Sequence, residues 1–233
     1  DAAKDGYDSE KTYTTSEVAQ PDRPLVSVVE NQVSQASFEI DRIANLTVRS
    51  TLGRSGNYAT LANQFFNLRG NKIIGNDALG QPVYKYNQTL QTGGGGTLIL
   101  NNLEWDTYTL SLASGTWDLA GSNPLSPLMI LPGSNINLSF ASVAHQTNTL
   151  LLKTTDASSS AVADVAVKLR DGGGYDQTIV SGGINVPDFG QVFFSPLADD
   201  VYDVEATKSG YATSSFAATV SGNLQDKVTM NAQ

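Results

Sequence analysis

Acidic side chains gather at Asp199, Asp200, Asp203 and Glu205, with Asp171 and Asp176 upstream of them. Carboxylates converging from loops can hold Ca²⁺, which takes about six to eight oxygen ligands. Asp199 and Asp200 are adjacent in a loop. Asp203 and Glu205 instead alternate with Tyr202 and Val204, so they share one strand face, and it is the solvated one. A structural Ca²⁺ is the competing reading, and no residue is assigned to it. His145 is the only histidine; it has no second imidazole with which to complete a metal or nucleophile site, and reads as a linker residue. Four glycines at 93–96 suggest a phosphate loop, but that loop needs Gly-Lys-Ser/Thr opening a helix. Here Thr97, Leu98, Ile99 and Leu100 follow as a strand, so the glycines read as a hairpin turn, as do those at 172–174. Without cysteine there is no thiolate nucleophile, disulfide or Cys-bound metal. No catalytic, cofactor-binding or metal-ligating residue is assigned.

The 233 residues are 40% hydrophobic and 16% charged, with a formal net charge of -9. That is a globular composition, and its size allows two domains or one large β domain. Nucleic acid is disfavoured as a partner, since binding phosphates takes a basic stripe and none is visible. An anionic membrane surface is disfavoured for the same reason. No apolar run approaches the roughly 20 residues of a membrane span. The chain opens at Asp1 without a signal-like segment, and the expectation is that a leader or a larger N-terminal part has been removed.

Helical periodicity is nearly absent; the short stretches 17–20 and 59–66 are its best candidates. Elsewhere apolar residues alternate with period two between Gly, Asn, Asp and Pro turns, which predicts an all-β chain. Self-alignment organises it further. Residues 45–50 match 149–154, 63–70 match 164–171, and 103–110 match 197–204. Each copy ends in a turn and an alternating strand: Pro132 and Gly133 before Leu138 and Phe140, and Ser221 and Gly222 before Val228 and Met230. Phe38 and Ile40 match that ending once more. Lys4, Asp5, Gly6 and Tyr7 echo Lys208, Ser209, Gly210 and Tyr211, with Trp117 at the same place between them. The pattern predicts modules at 42–143 and 146–233. Residues 1–41 would be the terminal strands of an incomplete module, with strands expected at 25–29 and 36–40. Residues 50–63 read as a lengthened first loop and 118–127 as a proline-bearing loop. Each strand has one apolar face to bury, as Leu46 with Val48 and Tyr108 with Leu110 illustrate. Two packed sheets bury such faces, whereas a parallel βαβ fold lacks the crossover helices it needs.

Phe193, Phe194, Ser195, Pro196 and Leu197, then Val201, Tyr202, Asp203 and Val204, then Lys208 to Tyr211 carry a family resemblance. The last module resembles the carboxypeptidase regulatory-like, transthyretin-like seven-stranded sandwich, a relative of the collagen-adhesin B-type modules of bacterial surface proteins. Asp199 and Asp200 replace the usual loop Pro-Gly. The middle module departs further, with Trp117 at the corner after Ser114, Gly115 and Thr116. The resemblance implies tandem Ig-like/transthyretin-like β-sandwich modules. Related modules can carry an internal Lys–Asn/Asp isopeptide bond promoted by a buried carboxylate on the face of the strand tyrosine. Lys153 is near the lysine place, but Glu205 lies on the face opposite Tyr202 and Arg49 stands in the middle module, so the register argues against the bond. Fold does not fix function.

The expectation is a non-enzymatic extracellular or cell-surface protein, a stalk or fibre (pilus-like) subunit or an adhesive one. Its partners would be protein, through self-assembly or neighbouring modules, with residues 1–41 adding as strands in cis or in trans. The alternative is a glycan-binding accessory module of a larger secreted protein, using Trp105 or the Tyr84/Tyr86 pair; Tyr175 is a further aromatic candidate, and Trp117, at a corner position, reads as core. The sequons at Asn45, Asn87 and Asn137 matter only in a eukaryotic secretory context.

Overall fold

A computed structural model describes residues 1–54, 56–112 and 115–233, so Ser114 lies outside the described residues. The fold is all-β, and no helix occurs among the described residues. The N-terminal segment carries three two-residue strands, β1 (Ala2–Ala3), β2 (Ser9–Glu10) and β3 (Gln20–Pro21). A first sandwich follows with β4 (Ala44–Leu52), β5 (Ala59–Thr60), β6 (Phe65–Gly70), β7 (Ile73–Asn76), β8 (Pro82–Tyr84), β9 (Asn87–Gln91), β10 (Thr97–Leu103), β11 (Asp106–Leu112), β12 (Trp117–Asn123), β13 (Leu128–Ile130) and β14 (Asn135–Ala144). The second holds β15 (Thr149–Thr155), β16 (Ala166–Arg170), β17 (Asp176–Val180), β18 (Gln191–Phe194), β19 (Asp200–Thr207), β20 (Ser214–Val220) and β21 (Asn223–Thr229).

One sheet of the first sandwich runs β10-β4-β14-β12 and faces β13-β11-β6-β9. In the second sandwich β18-β15-β21 faces β17-β16-β19-β20. In both, the first and last strands pair in parallel, β4 with β14 and β15 with β21, in an otherwise antiparallel arrangement. The alternation fills the cores. Leu46, Val48, Phe66, Leu68, Tyr108, Leu110, Leu138 and Phe140 are buried in the first. Leu150, Leu152, Val167, Leu169, Phe194, Tyr202, Val204 and Val228 are buried in the second.

A buried polar knot closes one end of each sandwich. The Ser50 hydroxyl donates to the Leu61 carbonyl at 2.6 Å and lies 2.8 Å from Thr92 Oγ1, while the Ser50 amide donates to the Gly96 carbonyl at 2.9 Å. Thr154 does the same work in the second sandwich: its hydroxyl donates to Val162 O at 2.6 Å, and its amide donates to Gly190 O at 2.8 Å. Thr92 and Ser181 complete the knots by accepting the Gln64 and Val165 amides, each at 3.0 Å. Gly96 and Gly190 have φ of 68° and 61°, and a Cβ there would lie 2.7 Å from Thr60 Cγ2 and from Ala161 Cβ respectively. Only glycine fits both demands.

At the other side of each core a tyrosine reaches back four residues. Tyr108 Oη donates to Glu104 O at 2.8 Å, and Tyr202 Oη accepts the Ala198 amide at 3.0 Å. A second tyrosine stands edge-on to each: Tyr86 to Tyr108 with centroids 5.5 Å apart, and Tyr175 to Tyr202 at 5.6 Å. Edge-to-face packing at that range is the favourable geometry for paired rings.

Two expectations need correction. Residues 25–29 and 36–40 form no strand; residues 22–37 are all exposed, Val28 at 85% and Val33 at 97%. High β propensity gives no strand without a neighbour to take the backbone hydrogen bonds. Residues 118–123 are not loop but part of β12, which pairs with β14, and the chain then crosses to the opposite sheet as β13 beside β11. The prolines at 124 and 127 mark that crossing.

Thr154→Val keeps the shape and removes the hydroxyl from a fully buried carbonyl pair. We expect a loss of about 1–2 kcal/mol in denaturant unfolding, with a larger loss for Gly190→Ala. Unchanged midpoints in both variants would show that the knot contributes nothing.

Candidate functional site

The residue types that could do chemistry are drawn into local structure. Asp200 Oδ1 accepts the Val201 amide at 2.7 Å, Asp199 accepts from Ser221 Oγ at 3.1 Å, and Asp203 lies 3.9 Å from Arg170. Asp171 caps its own glycine turn through the Gly173 and Tyr175 amides, and Asp176 pairs with Lys168 at 3.0 Å. Among the described residues no group of three acidic or histidine side chains converges as a metal cage. Lys153 Nζ donates to Ser126 O at 2.5 Å, across to the first sandwich rather than into its own core; burial pushes its pKa down. Glu205 lies on the outer face of β19, while Tyr202, Val204 and Ala206 are buried. Lys153 and Glu205 therefore do not meet.

Two assemblies remain, both built rather than incidental. The first is the joint between the sandwiches. The outward side of β12 and β14 presents Ala120 and Ala141 to Leu151 and Phe193 on the outward side of β15 and β18, and all four are buried. The strand β18 is consequently buried on both faces, Val192 and Phe194 in its own core, Gln191 and Phe193 in the joint. Gln191 lies across the seam: its Oε1 accepts the Ser122 amide at 3.1 Å and its Nε2 donates to the Ser122 carbonyl at 2.8 Å. Asn123 Nδ2 donates to Ile184 O at 2.9 Å and Val186 O at 3.0 Å. The lengthened loop after β4 grips the same seam, with Arg54 donating to the Phe193 carbonyl and Tyr58 to the Asp188 carboxylate. Gly121 allows the approach: a Cβ there would lie 2.7 Å from Asp188 Cα.

His145 belongs to this joint. Its Nδ1 lies 2.8 Å from Asp118 Oδ1, and the same buried carboxylate accepts the Gln146 amide at 2.8 Å and Asn223 Nδ2 at 2.7 Å. One aspartate so ties β12, the connecting segment and β21. Trp117 is half-buried beside it, lining a pocket of about 180 Å³ with Leu151 and Phe193.

The second assembly is an ionic strap. Glu10 takes Lys85 at 2.5 Å and Arg23 at 3.0 Å; Glu104 takes Lys85 at 2.8 Å and Lys72 at 2.6 Å. The charges alternate, and Lys85 is shared between Glu10 of the N-terminal segment and Glu104 of the sandwich. Tyr13 and Val18 are buried beneath the strap, and β3 pairs with β7. Residues 1–24 therefore dock in cis. The chain returns at Asp41, whose amide and carbonyl both bond Asp8, at 2.6 and 2.8 Å. Tyr7 then bridges Arg42, as Tyr211 bridges Ala232 and Trp117 pairs with Ala144.

The aromatic candidates are mostly engaged. Tyr86 and Tyr175 are edge-on to core tyrosines, Arg69 stands 4.3 Å over the Tyr84 ring, and Lys72 stands 4.1 Å over Trp105, which is 40% exposed.

No protein-family model matches the chain, and no curated protein matches it. Among solved structures, the Bacillus anthracis TIE protein is similar over 86% of this chain and 37% of that one, at 12% identity and a TM-score of 0.30. This chain thus spans little more than a third of that protein. Shaft pilin SpaA from Lactobacillus rhamnosus GG is similar over 82% of this chain and 98% of that one, at 11% identity and a TM-score of 0.30. GBS52, the minor pilin of Streptococcus agalactiae, is similar over 82% and 96%, at 14% identity and a TM-score of 0.30. At these scores no residue role transfers.

The strap is pH-sensitive with a definite sign. Burial pushes the Glu104 carboxyl up, but the hydrogen bonds from Lys72 and Lys85 together outweigh it and hold the group below its ordinary value. Its contribution to stability is therefore present above the unfolded value, about 4.3, and is lost as pH falls through the lower folded value. Asp8 runs the other way: burial raises its pKa, so its protonated form suits the fold. Backbone resonances of residues 1–24 should move toward random-coil values as pH drops below about 4. Glu104→Gln should produce that movement at pH 7; resonances of the variant that match the parent would show that the strap is held without its charges.

Proposed function

We propose that the chain is a non-enzymatic extracellular structural protein, a stalk or fibre subunit built of tandem β-sandwich modules at 42–143 and 146–233. The observation that carries this reading is the joint. Freely hinged domains meet through small, mostly polar contacts, whereas here an apolar patch, a bidentate glutamine and a three-way aspartate fix two sheets face to face. A stalk resists bending only if its modules do not swing, and the lengthened first loop contributes to that contact. The shared parallel pairing of first and last strands and the matched polar knots support reading the sandwiches as repeats. The acidic cluster of the second sandwich is taken up in turns, caps and ion pairs, which suits a structural role.

Small-angle scattering on monomeric protein tests the reading. The parent should fit one rigid arrangement of two sandwiches. Gln191→Ala strands a buried amide and carbonyl at Ser122, at roughly 1–3 kcal/mol each; combined with Gly121→Val it should broaden the ensemble while both sandwiches stay folded by circular dichroism. A parent already as flexible as the double variant would remove the basis of the proposal.

A further inference from the structure

Between its two tied ends the N-terminal segment loops out as an arm. Its root is fixed by the Tyr13–Pro24 bridge on one side and by the Asp8–Asp41 pair on the other. A turn at Glu30 and Asn31, the latter at φ 62°, reverses the chain, with the Gln32 amide donating to Val29 O at 3.2 Å and Ser34 Oγ to Ser27 O at 2.7 Å. The two legs face each other without forming a ladder. Leu25, Val26, Val28, Val29 and Val33 are exposed, at 59, 44, 85, 49 and 97%. Alternating β-branched residues with open backbone groups are a strand without a neighbour.

An acceptor lies on the second sandwich. The strand β17 is an outer strand of its sheet and, among the described residues, pairs only with β16. Val180 and, just beyond the strand, Ile184 are exposed at 54 and 69%. Beside the strand runs an open groove of about 450 Å³ lined by Tyr58, Ile179, Val180, Gly182, Gly183 and Val186. Glycines on its rim leave the backbone accessible. Several other outer strands are defended in the usual ways: β21 carries Asp226 and Lys227, β13 has three residues, and β10 has a register shift after Leu100. The outer strands β9 and β20 are uncharged too, and β17 has its one charge, Asp176, at its first residue, where it pairs with Lys168. Charge points the same way. The chain is strongly acidic, yet the leg 25–29 and the groove carry no charged side chain, so two copies can meet there without repulsion.

We propose that the arm of one copy docks on the β17 edge of a second copy, with residues 25–29 adding as a strand and Val26 and Val28, which share one face of it, entering the groove. Donor and acceptor are different surfaces, so the contact is heterologous and propagates head to tail rather than closing as a two-fold dimer. The inference rests on the structural reading above and names its partner as another copy of this chain.

Two substitutions test it by complementation. Val28→Lys disables the arm and Val180→Lys disables the groove, both at exposed positions where the fold, checked by circular dichroism, is kept. Light scattering should show the parent's mass climbing through multiples of the chain mass with concentration, and each variant alone should stay at one chain. Their equimolar mixture should stop at two chains, because one intact arm meets one intact groove. A parent that remains a monomer at about millimolar concentration, where even weak association registers, overturns the proposal. So does Val180→Lys assembling as the parent does, since the arms would then pair with each other. Assembly that persists in both variants overturns the docking mode and leaves the structural reading in place. Rigidity of the joint is measured on the monomer and is independent of all three outcomes.

Discussion

One buried hydroxyl per sandwich, Ser50 or Thr154, holds the rest of each module in register. The chain passes from its first strand into a loop, returns across the sandwich and comes back again beside the same strand, which brings two loop carbonyls into the interior with no water. An unmade hydrogen bond there costs about 1–3 kcal/mol, so the first strand must supply a donor at that point. Ser50 meets Leu61 O and Gly96 O; Thr154 meets Val162 O and Gly190 O. The demand propagates outward. The glycine must be glycine because of its φ and the neighbouring Cβ, and Asn63 and Asp164 open the next strand at φ 54° and 52°, a conformation those two residue types tolerate. A polar knot of this kind fixes where β4 and β15 end and so which residues face the core.

With the register fixed, the outer faces of the central sheets decide how the modules meet. In the first sandwich, β4 alternates, with Leu46 and Val48 inward and Asn45 and Thr47 half-exposed. In the second, β15 begins with four consecutive buried residues. Continuous apolar character in a strand means both faces are covered, and here the second cover is the neighbouring sandwich. Placing Gln191 and Asp118 inside that seam adds direction to a patch that hydrophobic burial alone would leave free to slide. The Gln191 amide matches one backbone unit, at Ser122, and a shift of a single residue would misalign both of its bonds.

The all-β architecture was legible because alternation and turn residues agree along most of the chain, and agreement across levels is what specifies a fold. The joint was less legible, though it left a signal: Leu150, Leu151 and Leu152 in a row, and Val192, Phe193 and Phe194, are too apolar for strands with one wet face. Tyr86 and Tyr175 looked like surface aromatics because each directly precedes a polar strand; only their contact with Tyr108 and Tyr202 places them at the core. Residues 118–123 resembled a loop because Gly121, Ser122 and Asn123 are poor strand formers. Gly121 and Ser122 are small and polar because another module approaches there, and that requirement outranks propensity. For 25–29 propensity misled in the opposite sense: it reports what a segment prefers once paired, and pairing is a property of the surroundings.

The strap and the arm are two treatments of one continuous segment. Where Glu10 and Arg23 can enter an alternating ion network with Lys85, Glu104 and Lys72, residues 1–24 are held against the sandwich by partly shielded charge. Single exposed ion pairs contribute about 0–1 kcal/mol, whereas half-buried networks with shared partners are harder to break, because removing one member strands the others. Between Arg23 and Glu39 the only charge is Glu30, so the same mechanism cannot hold residues 25–38. That stretch has apolar side chains and open backbone groups instead, both of which are satisfied by a strand edge and neither by water. Fixing the root by charge while leaving the tip apolar restricts where the tip can go without satisfying it. The ordering entropy of the root is already met within the monomer, so less remains to be lost when the tip finds an edge.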